Sequence, residues 1–222
     1  MILFCLLCFA CLLLIVWKGL GRSATFIGVS LLLAAWMILL GVLGQAGFFS
    51  DFSRLPPRPG LALLLPLPVV LWIASSKGGK TFLKAVPPQW IIYLQSFRIV
   101  VEIMLWVKVS QGLLPVQMSF EGRNFDILSG LAALPVGYFC FVRKTWPSWA
   151  VLVYNIAGLL LLLNVTVIAV LSMPTPLRAF HNEPANTLVG QFPFIYLPGF
   201  LVPLAYTLHI FSIRQWMFEF RK

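Results

Sequence analysis

The chain has 222 residues, of which 60% are hydrophobic and only 10% charged, and its mean hydropathy is +0.96. Soluble domains run at about 45–50% apolar and about 25% charged, so this composition assigns the chain to the membrane class. A formal charge of +10 would suggest nucleic acid in a soluble protein; in a membrane chain Lys and Arg gather at helix ends and set topology, and no nucleic-acid partner is expected.

A spanning helix needs about 20 apolar residues, and seven stretches approach that length. In chain order they are Ile2–Trp17, Ala24–Phe48, Leu61–Ser75, Trp90–Leu114, Phe125–Val142, Trp149–Met173 and Phe194–Ile213. The first has no Lys or Arg before it and no small-residue cleavage site after it, so it reads as an uncleaved anchor with the N-terminus outside. Its Cys5, Cys8 and Cys11, like Cys140 further on, read as buried inert thiols. The third is short and contains Pro66 and Pro68, which predicts a kinked or re-entrant segment and makes six spans the competitor to seven.

With the N-terminus outside, the inner segments hold Lys18, Arg22, Lys77, Lys80, Lys84, Arg143, Lys144, Arg214, Arg221 and Lys222. The outer segments hold Arg54, Arg58, Arg123 and Arg178. That bias supports an N-out, C-in topology. Trp17, Trp90, Trp146, Trp149 and Trp216 fall at the expected interfaces. The expectation is an all-α, polytopic transmembrane bundle of about seven spans, forming a single integral membrane domain over residues 1–222.

The fourth stretch carries Arg98 and Glu102 near its middle, although the chain has only six carboxylates. A charge at that depth costs roughly 2.5–3.5 kcal/mol on an insertion scale and marks a functional site by default. Gln95, Arg98 and Glu102 are spaced i, i+3 and i+7 and so share one helix face. Arg98 and Glu102 can pair directly, with Gln95 adding a hydrogen bond. A polar cavity and an internal packing latch are equally good explanations of such a pair.

The following loop, PVQMSFEGRNFD, crowds Glu121, Arg123, Asn124 and Asp126 into a few residues. The long loop PTPLRAFHNEPANTLVGQFP supplies Arg178, His181, Asn182, Glu183 and Asn186. Both fall on the outer side, over the outer half of the fourth helix, where they would form the mouth of a binding site. His209 shares a face with Tyr206, which suggests a bond between helices. Asn155 and Asn164 lie on opposite faces of the sixth helix, so they cannot line one pocket.

No phosphate loop, GxSxG elbow or paired CxxC is present, so no catalytic residue is identified. The two histidines fall on opposite sides, so neither a metal site nor a cofactor is expected. The stretches SFEGRNFDILSGLAALP and FHNEPANTLVGQFPFIYLPGFLVPLAYTLHIFSIRQ resemble those of uncharacterised multi-pass membrane proteins of bacteria, over roughly the second half of the chain. That resemblance implies a bacterial inner (plasma) membrane location and no assigned activity. The leading functional expectation is binding or transport of a small polar solute or proton through an outward-facing polar cavity around Arg98 and Glu102. A non-catalytic subunit or assembly factor of a membrane complex is the second. A membrane enzyme using Glu121, Asp126, His181 and Glu183 is the third.

Overall fold

The computed structural model describes residues 1–220; Arg221 and Lys222, two of the cations assigned to the inner side, lie outside the described residues. Among the described residues the chain is helical and has no strand. Six helices are long and apolar enough to cross a membrane: α1 (Ile2–Leu20), α2 (Ala24–Gln45), α3 (Arg58–Ser75), α5 (Pro88–Ser110), α7 (Trp149–Leu171) and α8 (Leu197–Phe218). Between them lie a short amphipathic helix, α4 (Lys77–Ala85), and a shorter apolar one, α6 (Ile127–Val142).

Local chemistry explains the boundaries. Gly21, at φ 62°, ends α1 in a left-handed conformation that suits glycine. Ser23 then caps α2 by accepting from the Phe26 N–H at 3.1 Å. The third stretch does not break at its prolines: Leu65 keeps α-helical angles (φ −60°, ψ −39°), and Pro66 opens the next turn, so the helix runs on for 18 residues. The short element is the fifth stretch instead. Helix α6 consists of 11 α-helical residues and 5 π-helical ones, roughly 24 Å against the about 30 Å of a bilayer core.

Tertiary contacts show which helix ends meet. Gln215 of α8 donates to Leu83 and Val86 after α4, Trp216 donates to Ser148 before α7, and Arg214 donates to Ala74 at the end of α3. Phe82 packs beside Gly19 near the end of α1. At the opposite end, Ser50 after α2 donates to Gly190 before α8. Helix α6 lies against α5, with Gly130 beside Ile99 and Gly137 beside Tyr93. Its first residues thus stand level with the middle of α5, not with the end of it. Residues 111–126 lead down to that depth from the end of α5.

That connecting segment lies only partly at the surface. Leu114, Gln117, Met118, Ser119 and Asn124 are buried, Leu113, Val116, Glu121, Arg123 and Phe125 are exposed, and part of its backbone is bonded within the protein. Asn124 and Gly122 each donate from their backbone N–H to Ser119, and the Asn124 side chain donates to the Met118 carbonyl. Gly122 permits this fold, because a Cβ there would lie 2.4 Å from the Val116 carbonyl oxygen.

The outside is apolar, unlike that of a soluble protein, and the mostly apolar interior encloses a polar cluster. Gln95, Arg98, Glu102, Asn155 and His209 are at most 2% exposed, whereas Leu3, Leu31 and Leu32 are 82%, 65% and 69% exposed.

Candidate functional site

The helix ladder of α5 tightens in its middle. Gln95, Ser96, Arg98 and Ile99 each donate to the carbonyl three residues back, a 3₁₀ turn inside a long helix. Such turns mark hinges or functional positions, and here the turn delivers Arg98 into the centre of the bundle.

Arg98 forms its ion pair with Asp126, at the start of α6, and not with Glu102. Its Nε donates to Asp126 Oδ2 at 2.6 Å and its Nη2 to Asp126 Oδ1, a two-pronged contact between planar groups. Asp126 also sits at the N-terminus of α6, where the helix dipole favours a negative charge. The remaining Arg98 donor reaches His209 Nε2 at 2.7 Å, and Nη2 lies 3.5 Å from the Gly158 carbonyl. Arginine can only donate. His209 must therefore accept at Nε2 and carry its proton on Nδ1, which faces Asn155 Oδ1 at 2.9 Å. Asn155 passes the chain on by donating to Ser212 Oγ at 2.9 Å and to the Val151 carbonyl.

Glu102 has a different partner. Asn124 Nδ2 lies 2.8 Å from both of its carboxylate oxygens, while Asn124 Oδ1 accepts from the Asp126 N–H at 3.1 Å. Asn124 thus joins the two carboxylates. Gln95 donates to the Ala205 carbonyl instead of to the pair, and its Oε1 has no bonding partner.

Beside this cluster is a cavity of about 70 Å³, bounded by α3, α5, α7 and the start of α8. Glu102 and Asp126 are the charged groups in its wall; Leu63, Leu105, Leu162 and Val202 are typical of the rest. The cavity is therefore aliphatic where a polar vestibule was expected. The reason lies in the loops. Of the polar loop residues, only Asn124 and Asp126 reach the buried charges; Gln117, Ser119 and Asn186 are buried above them, and Glu121, Arg123, His181, Asn182 and Glu183 stay at the rim.

Glu121 and Arg123 are exposed, with Arg123 stacked over Phe180 at 5.4 Å and its carbonyl accepting from Asn164. His181, Asn182 and Glu183 are exposed as well. Glu183 pairs with Arg178 at 2.9 Å, and that hydrogen bond, with the Ala185 N–H, holds its carboxyl below the ordinary range. Asn182 donates to Gln117, which donates to Ser172, so the two loops are tied together above the cavity. Among the described residues no group of three or more His, Cys, Asp and Glu is placed to hold a metal ion.

Four expected residues thus come together: Arg98, Glu102, Asn124 and Asp126. His209, Asn155, Ser212 and Gly158 join them unforeseen. The first three are polar groups on largely apolar helices, His209 and Ser212 three residues apart on α8 and Asn155 on α7, which signals an interhelical bond without naming the partner. Gly158 leaves room for the imidazole: a Cβ there would lie 2.3 Å from His209 Cε1 and 2.5 Å from Nε2. Because Arg98 and Asn155 hold the ring from both sides, Gly158→Ala should cost about 1–3 kcal/mol by overpacking. A lowered melting temperature of the detergent-solubilised variant would show it; an unchanged one would mean that the ring is free to move.

No curated protein and no solved structure matches the chain. The family model described as a domain of unknown function (DUF8737) matches residues 60–217, which include α3 to α8, apart from the first two residues of α3 and the last of α8, and every member of the buried cluster. The chain belongs to that family.

Proposed function

We propose that the protein is a multi-pass protein of the bacterial inner membrane that binds or transfers a proton or a small polar solute at Glu102. The reading takes seven crossings, N-out and C-in. The fifth of these, in chain order, is completed by the partly buried stretch 111–126 together with α6, since irregular backbone at bilayer depth is tolerated where protein encloses it. The cations Lys18, Arg22, Lys77, Lys80, Lys84, Arg143, Lys144 and Arg214 then lie on the inner side.

One observation carries the functional reading: two carboxylates border a cavity, yet only one guanidinium accompanies them. Arg98 is committed to Asp126, His209 and Gly158. Glu102 is left with an uncharged amide. A buried charge needs compensation, and the cavity is the route by which a proton or a small donor reaches Glu102. A water needs roughly 10–15 Å³ of such space, so the cavity suits a few waters or a solute of a few atoms. The test is proton flux in proteoliposomes holding a pH-sensitive dye under an imposed potential. Glu102→Gln should reduce the flux at least tenfold while the protein still folds. Equal rates in the two, or wild-type flux no faster than empty vesicles, would remove the proton reading.

A second reading, a subunit or assembly factor of a larger membrane complex, is favoured by α1 and α2. Only 22% and 17% of their spans are buried within the molecule, and both precede the matched family region. A monomeric mass with no co-purifying partner after mild extraction would count against it.

A further inference from the structure

We infer that the end of the bundle carrying α4 is a docking surface for the headgroups of anionic phospholipids, with the lysine face of α4 as its centre. Lys77, Lys80 and Lys84 are spaced i, i+3 and i+7, so they share a face, and all three are exposed. The opposite face is fixed to the protein. Gly79 and Leu83 are buried, Phe82 packs edge-on against Phe211 at 6.2 Å, and Gln215 holds the helix end through Leu83 and Val86. Helix α4 is therefore an amphipathic element presenting its cations outward.

Neighbouring cations extend this face. Arg214 is held by its bond to the Ala74 carbonyl, and its guanidinium lies 4.4 Å from the Phe218 ring centroid. Lys80 Nζ approaches the same ring at 5.0 Å. Lys18 and Arg22, at the end of α1, are exposed nearby. Among the residues whose side chains are described no carboxylate offsets them at this end, and the first turn of α4 has none, although a helix start favours negative charge. Asp51, Glu121 and Glu183 belong to the opposite end and Glu102 and Asp126 to the interior, which leaves Glu219 as the one remaining carboxylate of the chain.

A second observation selects a lipid as the occupant. Trp17, Trp72, Trp90, Trp146 and Trp149 stand exposed around this end of the bundle. Exposed tryptophans take headgroup depth in a bilayer, which puts the lysines of α4 level with lipid phosphates.

The inference rests on the bilayer reading above but not on the role given to Glu102. Its test is native mass spectrometry of the delipidated full chain in detergent, titrated with phosphatidylglycerol or with phosphatidylcholine. Wild type should retain phosphatidylglycerol preferentially. The triple variant Lys77→Ser, Lys80→Ser, Lys84→Ser should bind it on the order of a hundredfold more weakly, and each single variant several-fold. Lys108→Ser, at the other end, and Glu102→Gln should bind it as wild type does. Equal retention of both lipids, or undiminished binding by correctly folded lysine variants, would overturn the inference. So would competition by inorganic phosphate at concentrations equal to those of the lipid, which would make the ligand a free anion. Recovery of the protein without detergent would instead remove the bilayer reading beneath it.

Discussion

Replacing Asp126 with Asn should destabilise the protein by about 3–5 kcal/mol, the usual cost of leaving one partner of a buried ion pair uncompensated. Arg98 is 2% exposed, and without the Asp126 carboxylate its guanidinium would keep, uncompensated in charge, one amide oxygen, the His209 ring nitrogen and a long contact to the Gly158 carbonyl. The amide keeps the shape of the carboxylate but aims two donors at a group that can only donate. In detergent the apparent melting temperature should fall on the order of 10 °C. Removing both charges, by Arg98→Met with Asp126→Leu, should recover the larger part, because apolar replacement of a whole buried pair is often neutral or better. It should not recover all of it, since His209 Nε2 would lose its donor, at about 1–3 kcal/mol. If Asp126→Asn melted like the wild type, the ion pair would have no part in holding α5, α6 and α8 together.

The bundle is legible in the sequence because each long helix must be apolar all round. Helices with mostly exposed Leu, Ile and Val announce themselves by composition alone, as α1, α2 and α7 do. The depth to which the fifth stretch enters the bundle is not legible in that way. Its apolar run begins only at Phe125, and PVQMSFEGRNFD before it has the polarity of a turn in water. Nothing local shows that Gln117, Ser119 and Asn124 find their bonds inside the protein.

The partner of Arg98 was hidden for the same reason. Glu102 stands four residues away on the same face, so helical spacing nominates it, whereas Asp126 is 28 residues distant on a segment that reads as exposed. Proximity along a helix fixes which residues can meet. Which of them do meet depends on how far another segment enters the bundle, a property of three-dimensional packing. His209 and Asn155 show the converse: each was recognisable as a group needing a partner, and only the register of α7 against α8 brings them together.

Asn124→Asp should be as damaging as Asp126→Asn, and its rescue would separate architecture from function. Asn124 uses its amide nitrogen on Glu102 and the Met118 carbonyl, and its amide oxygen on the Asp126 N–H. A carboxylate there keeps the last bond and puts a second negative charge against Glu102, which is 1% exposed. An unpaired buried charge of this kind costs about 3–5 kcal/mol. Adding Glu102→Gln reverses the roles, because the new amide at 102 can donate to the new carboxylate at 124. The double variant should therefore return most of the way to the wild-type melting temperature. It would hold the same number of charges and the hydrogen bond between 102 and 124, with the carboxylate displaced from 102 to 124 and only the bond to the Met118 carbonyl lost. If Glu102 serves to bind a proton or solute from the cavity it borders, this refolded double variant should still lack flux in proteoliposomes. Full flux would mean that the bundle needs a satisfied polar centre and has no use for a carboxylate at position 102.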